Sequence, residues 1–235
     1  DGEPGDGDTA DGAPGGQCEP GGDVPCVDEQ IAQLGLSDER TGGAIVEEGD
    51  VQGAFSSFVD ASAGGVSSPK GYTYGRFTDA GLERVDLSDE EALASTAWDI
   101  AMDRFIVRLN SGVSGPSCVQ GARTAADTTF EGLTAVPEGV TFNAEQYFTG
   151  ESCEFVPDTS GIGAAQTVLG SFWTYPGCVA MTGNVYVIAL ASGRHVKAQV
   201  TSYYDPAQQA ACDETGAVAD SSSAGHIRLK WAFLD

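Results

Sequence analysis

Alternation of apolar and polar positions is clearest at the C-terminal end. In His226 to Leu234, the residues Ile227, Leu229, Trp231 and Phe233 share one face, and His226, Arg228 and Lys230 share the other. Arg194 to Tyr204 alternates in the same way, with Val196, Ala198 and Val200 opposite His195, Lys197 and Gln199. Both read as strands with one buried face. Asn184 to Leu190 is apolar on both parities, which predicts a central strand covered on both sides. Ala191-Ser192-Gly193 predicts the turn that follows it. Tyr72 to Phe77 and Gly81 to Leu87 read as short strands. Ser88-Asp89-Glu90-Glu91 is a capping box that should open one short helical turn. From Trp98 to Leu109 the apolar set changes parity, from Trp98, Ile100 and Met102 to Phe105, Val107 and Leu109. A strand keeps both sets inward only by gaining a residue, so a β-bulge or sharp bend is expected near Asp103-Arg104. Asn110-Ser111-Gly112 predicts a turn.

Between 110 and 183 periodicity is weak and Gly, Thr and Ser are frequent, which predicts short strands joined by long loops. The front of the chain differs. Residues 1–50 hold 14 acids and one base, Arg40, and the first 22 residues hold eight Gly and three Pro. Such a segment buries too little apolar area to offset its ordering entropy. The expectation is therefore a disordered, acidic, Gly-rich tether over 1–40, followed by a single antiparallel all-β domain with long loops over 41–235. Asp6, Asp8 and Asp11 hint at a calcium loop. Ala10 falls at the third ligand position and no Glu follows at the twelfth, so the segment reads as an acidic spacer.

Composition narrows the function. The 235 residues carry 35 acids and 11 bases, a net charge of −24. This excess argues against nucleic acid as a partner and against docking on an anionic membrane through a basic face. No run of 18 apolar residues predicts a membrane-spanning helix. The opening Asp1-Gly2-Glu3 reads as a processed, secreted chain. Six cysteines, Cys18, Cys26, Cys118, Cys153, Cys178 and Cys212, include no CxxC pair, and only two histidines are available to complete a metal site. Zinc is not expected, and up to three disulfides in an oxidising compartment is the better reading, with buried free thiols as the alternative. Fifteen pairings are open, and Cys18 with Cys26 closes the shortest loop. There is no G-x-S-x-G, HExxH or P-loop, so neither a catalytic constellation nor a nucleotide site is expected.

Three stretches together resemble the HmuY family of secreted haem-binding lipoproteins. They are Trp98 to Phe105 running into Leu109-Asn110-Ser111-Gly112-Val113-Ser114-Gly115-Pro116, the pair Val185 to Ile188 and His195 to Tyr204, and the closing strand around Ile227 to Trp231. The resemblance spans about 70–235 in order. It implies an all-β fold, residence outside the cell or on the outer membrane, and non-covalent haem capture from haem or a haemoprotein between projecting loops. It also implies a lipid-anchored Cys, here upstream of Asp1, followed by a tether. Family members hold haem iron by two His or Met side chains from the middle loops, and none lies between Asn110 and Ala180.

The candidates follow from that gap. Met181 is the first axial-ligand candidate. His195 and His226 follow, although their strand parity places them on a polar sheet face, where a solvent-facing histidine is the ordinary outcome. Tyr175 and Cys178 are weaker alternatives. Phe172, Trp173, Tyr175 and Tyr147, with Phe148, are candidates for an aromatic ligand wall or, equally, for core packing. If the two C-terminal strands pair, Lys197, Arg228 and Lys230 form a basic patch fit for haem propionates or the acidic tether, or simply a solvated charged face. Two functions stay open: haem capture, and a surface structural or interaction protein that keeps the fold without haem. A carbohydrate or calcium-dependent surface module is a third option.

Overall fold

The computed structural model describes residues 18–51, 53–63, 65, 70–149 and 152–234. A six-stranded antiparallel sheet is built from β1 (Ile45–Val51), β2 (Ala54–Asp60), β7 (Gln120–Arg123), β12 (Tyr186–Ala189), β13 (His195–Ser202) and β14 (His226–Leu234). Its strand order is β1-β2-β14-β13-β12-β7. A four-stranded sheet, in the order β4-β3-β5-β6, joins β3 (Thr73–Thr78), β4 (Gly81–Val85), β5 (Ile100–Asp103) and β6 (Ile106–Leu109). Two short ribbons pair β8 (Phe148–Thr149) with β9 (Glu154–Phe155), and β10 (Trp173–Thr174) with β11 (Ala180–Met181). The α-helices among the described residues are α1 (Val27–Leu34), α2 (Asp89–Ala92) and α3 (Pro206–Thr215).

The two sheets share one core. Ile227, Leu229, Trp231, Val196, Ala198, Val200, Tyr186 and Ile188 of the larger sheet pack with Phe77, Leu82, Ile100, Met102, Val107 and Leu109 of the smaller. The opposite face of the larger sheet is covered as well. Val185, Val187 and Ala232 meet Phe130, Leu133 and Phe142 of the long loop between β7 and β8. This is why Asn184 to Leu190 is apolar on both parities. Trp231 is fully buried, and its indole N–H donates to Ser57 Oγ at 2.7 Å.

The parity change after Trp98 takes the second of the two expected forms, a sharp bend that reverses the chain, and not a bulge in one strand. β5 and β6 pair as a hairpin from Ile100 opposite Leu109 to Asp103 opposite Ile106, and Arg104 in the turn has φ 51°. Reversal lets Ile100, Met102, Val107 and Leu109 all enter the core without an inserted residue. Gly112 (φ 56°) sits against the Glu145 carbonyl, where a Cβ would collide, so the Asn110-Ser111-Gly112 turn requires glycine. The capping box forms as expected, with Glu91 N–H donating to Ser88 Oγ and Ser88 N–H to Glu91 Oε2.

The N-terminal expectation needs correction. Residues 18–40 are not a tether: Cys18 is bonded to Cys118 and Cys26 to Cys153, and α1 lies between those staples and the body. Val24, Val27, Ile31, Leu34 and Leu36 of this arm pack on Tyr72, Tyr74, Leu93 and Trp98. Arg40 closes the arm on Asp86 and Glu91 at 3.0 and 2.8 Å. The short Cys18–Cys26 loop is replaced by two long-range bridges, because the folded arm brings each cysteine against a middle loop. Cys178 pairs with Cys212, which makes three disulfides and leaves no free cysteine among the described residues. The remaining part of the expected tether, and Asp6, Asp8 and Asp11, fall outside the described residues.

Asp103, beside the hairpin turn, gives a testable pH dependence. Burial and the nearby Asp89 charge push its carboxyl from 3.8 up to about 7, and its Oδ1 has no hydrogen-bond partner. A carboxyl whose folded pKa is raised stabilises the fold fully below its unfolded pKa, and that contribution is lost as pH rises through about 7. Asp103→Asn should therefore raise stability at pH 8 by about 2 kcal/mol while leaving it nearly unchanged at pH 4. Urea unfolding at the two pH values measures this; equal effects at both would refute it.

Candidate functional site

A cleft of about 650 Å³ lies where the β10–β11 ribbon meets the β7 edge of the larger sheet. Its walls include Arg123 at the end of β7, Asp158 and Ser160 from the loop after β9, Gln166 and Thr167, Ser171, Trp173, Tyr175, Thr182 and Asn184. Several of these side chains are held in place from within. Ser171 Oγ lies 3.0 Å from the Tyr186 hydroxyl and 3.4 Å from Arg123 Nη1, which donates to it. Asn184 Nδ2 donates to Ser171 O at 2.6 Å. Asp158 Oδ1 accepts from Ser160 N–H at 3.2 Å and Ser160 Oγ at 2.5 Å. The cleft is thus an ordered polar surface with an aromatic wall.

Of the four expected wall residues, Trp173 and Tyr175 reach this cleft. Tyr175 is 55% exposed and Trp173 only 6%, with Trp173 tilted on Phe105 at 5.2 Å between centroids. Phe172 lies inside the main core. Tyr147 is fully buried beside Phe148, and its hydroxyl accepts from Arg108. Those two are packing residues.

The axial candidates do not converge. Met181 stands opposite Trp173 in the ribbon, and its side chain packs against the core; its N–H donates to Asp213 Oδ1 at 2.9 Å. His195 pairs with Leu234 at one end of β14, and its ring lies 5.6 Å from Phe142. His226 begins the other end of β14, with its ring 5.5 Å from Phe58 and Nδ1 3.5 Å from Asp205. Eight residues of strand separate the two positions, about 26 Å at the usual rise. The remaining methionine, Met102, is buried in the core. Cys178 is consumed by its disulfide and is withdrawn as a ligand candidate. Of the two His and two Met in the whole sequence, the histidines stand too far apart to bracket one iron, Met102 is enclosed in the core, and none of the four lines the cleft. Haem gripped by two such side chains does not fit these residues.

Pairing of β13 with β14 does bring Lys197, Arg228 and Lys230 onto one face, but their charges are already engaged. Arg228 donates twice to Glu48, at 2.8 and 2.9 Å. Lys230 Nζ donates to Glu131 at 2.5 Å. Lys197 Nζ donates to the carbonyls of Phe130 and Leu133, and both lysines lie over the Phe130 ring at 4.6 and 4.5 Å. Burial lowers the Lys197 pKa. The loop between β7 and β8 occupies this face, so propionates would have to displace it.

A buried polar cluster escaped the sequence reading. Arg108 is fully buried, with its guanidinium 4.0 Å over Tyr72 and Nη2 donating to the Tyr74 hydroxyl at 2.6 Å. That hydroxyl donates to Asp89 Oδ1 at 2.8 Å, and Asp89 also accepts from Tyr72 N–H and Ser37 N–H. Glu145, fully buried, accepts from Leu109 N–H and Val168 N–H, and burial pushes its carboxyl up to about 7. No long-range sequence signal pairs these residues. Nor does any signal group Arg123, Asp158, Gln166 and Asn184, which lie at strand ends and in loops far apart in sequence.

These features define a class: a disulfide-stapled antiparallel β sandwich presenting an ordered polar cleft. Within that class, the chain belongs to the HmuY family, whose model, described as HmuY protein, matches residues 72–215. No curated protein matches the chain. Similar solved structures include a Bacteroides vulgatus protein described as HmuY-like and haem-binding, at 17% identity and TM-score 0.48, covering 80% of this chain and 95% of its own. A Bacteroides fragilis protein described as a lipoprotein aligns at 15% identity and TM-score 0.48, covering 80% and 92%. The apo form of an HmuY analog from Tannerella forsythia aligns at 16% identity and TM-score 0.44, covering 80% and 100%. Among the described residues, no helix is long and apolar enough to cross a membrane.

Proposed function

We propose that this HmuY-family chain is a non-enzymatic binding protein displayed outside the cell, that the cleft is its ligand seat, and that it does not grip haem iron between two side chains. The observation that carries this reading is the dispersal of His195, His226, Met181 and Met102 over two strand ends and the core. Three disulfides support an oxidising compartment. The open, hydroxyl- and amide-lined cleft supports binding rather than turnover.

One observation favours a second reading, haem held by a single ligand. Tyr175 is the one side chain of an iron-ligating type on the cleft wall, and phenolate is a known haem ligand type. Titration of the disulfide-intact protein with haemin separates the readings. The first expects no saturable Soret change at micromolar haemin. The second expects a saturable high-spin spectrum that Tyr175→Phe abolishes. Six-coordinate low-spin bands altered by Met181→Ala would contradict both.

A further inference from the structure

The cleft's chemistry selects a ligand class. The chain carries a net −24, yet the charged side chains lining the cleft are one cation, Arg123, and one anion, Asp158. Such a site draws neither a polyanion nor a cation. A flat apolar ligand wants walls that are mainly hydrophobic, whereas here polar and apolar surface are evenly matched and hydroxyl and carboxamide side chains are the commonest in the lining. An extended peptide usually adds to a sheet edge, but the β7 edge is already bridged: Gly121 and Asn143 exchange N–H···O bonds at 3.0 and 2.9 Å.

The tryptophans give an independent indication. Trp98 donates its indole N–H to Ala92 O at 3.0 Å, and Trp231 donates to Ser57 Oγ at 2.7 Å. Trp173 lines the cleft, and its N–H, which has no acceptor among the described residues, is not closed off from solvent. An indole N–H that solvent reaches and no protein group satisfies is free to meet a ligand acceptor. Neighbouring groups also keep spare capacity. Gln166 is exposed and its amide makes no hydrogen bond among the described residues. Asn184 commits its Nδ2 to Ser171 O and keeps its carbonyl oxygen, and Asp158 commits Oδ1 and keeps Oδ2. Donors and acceptors with spare capacity thus line the same cleft as the exposed Tyr175 ring.

We propose that the cleft binds a neutral carbohydrate chain, whose apolar C–H face lies on Tyr175 and whose hydroxyls pair with the Trp173 indole N–H, Gln166, Asn184, Asp158 and Arg123. This rests on the reading of the cleft as the ligand seat. Sugar hydroxyls each both donate and accept without net charge, the pattern this mixed lining complements.

The test titrates the disulfide-intact chain with maltohexaose, cellohexaose, mannohexaose and chitohexaose, with haemin in parallel. Calorimetry measures affinity, and NMR follows the Trp173 indole and the Gln166 and Asn184 side-chain amides. At least one oligosaccharide should bind saturably and shift these resonances. Tyr175→Ala should weaken that binding tenfold or more, and Tyr175→Phe by less than threefold, because the ring face and not the hydroxyl makes the contact. Equal losses in the two variants, or shifts confined to other surfaces, would overturn the carbohydrate assignment. Haemin shifting the cleft resonances while no sugar does would overturn that assignment and keep the cleft as ligand seat. No cleft shift with either probe would overturn both.

Discussion

Replacing Arg108 with alanine should cost the fold about 3–5 kcal/mol, more than any substitution on the cleft rim. The guanidinium has no contact with water, so its solvation is supplied by the Tyr72 ring and by the Tyr74 and Tyr147 hydroxyls. Through Tyr74 it also offsets Asp89, a buried carboxylate that ties Ser37 of the N-terminal arm to Tyr72 of the smaller sheet. Removing Arg108 leaves a cavity, two underused tyrosine hydroxyls and a buried negative charge with less compensation. Tyr74→Phe should cost less alone, and the double variant should fall short of the sum, because both act on one relay. Urea unfolding measures all three. A loss below about 1 kcal/mol for Arg108→Ala would show that the cluster is not a structural keystone.

Breaking the Cys26–Cys153 bridge by paired serine substitution should cost about 2–5 kcal/mol. The bridge spans 127 residues, so the unfolded chain regains much loop freedom when it is lost. The native state loses packing as well, since Cys26 and Cys153 lie against Leu34, Val113, Phe148 and Phe155. Cys178–Cys212 spans 34 residues and should cost less in the chain-entropy account. The arm should then loosen ahead of the sheets. Amide exchange in α1 should rise while exchange in β13 and β14 stays slow. A variant in which α1 remains as protected as before would mean that Leu36, Ile31 and Arg40 hold the arm without help.

The strand ladder was legible where one face is buried and the other solvated or thinly covered. His226 to Leu234 and Arg194 to Tyr204 alternate because their inner residues enter a shared core. The parity change near Asp103 was legible as a break, but alternation alone does not separate a bulge from a hairpin when both halves are short. The arm was misread for a physical reason. Fourteen acids over the first 50 residues masked Val27, Ile31 and Leu34, whose spacing marks one face of α1, and Gly35, which ends it in the left-handed region (φ 64°). The cysteine pairing was not legible, since proximity in the fold outweighs the ease of closing a short loop. The cleft was legible only through Trp173 and Tyr175. Its polar members come from positions 123, 158, 166, 171 and 184, and topology alone brings them together.

The two histidines are the point on which the functional account turns. Their strand register holds them at opposite ends of β14, and neither they nor Met181 line the cleft. Electron paramagnetic resonance of the haemin-titrated protein tests this most directly, because it reports how many strong ligands the ferric iron has taken. The account predicts free haemin or a high-spin iron with at most one protein ligand; a stoichiometric low-spin signal, lost on substitution of Met181, His195 or His226, would contradict it.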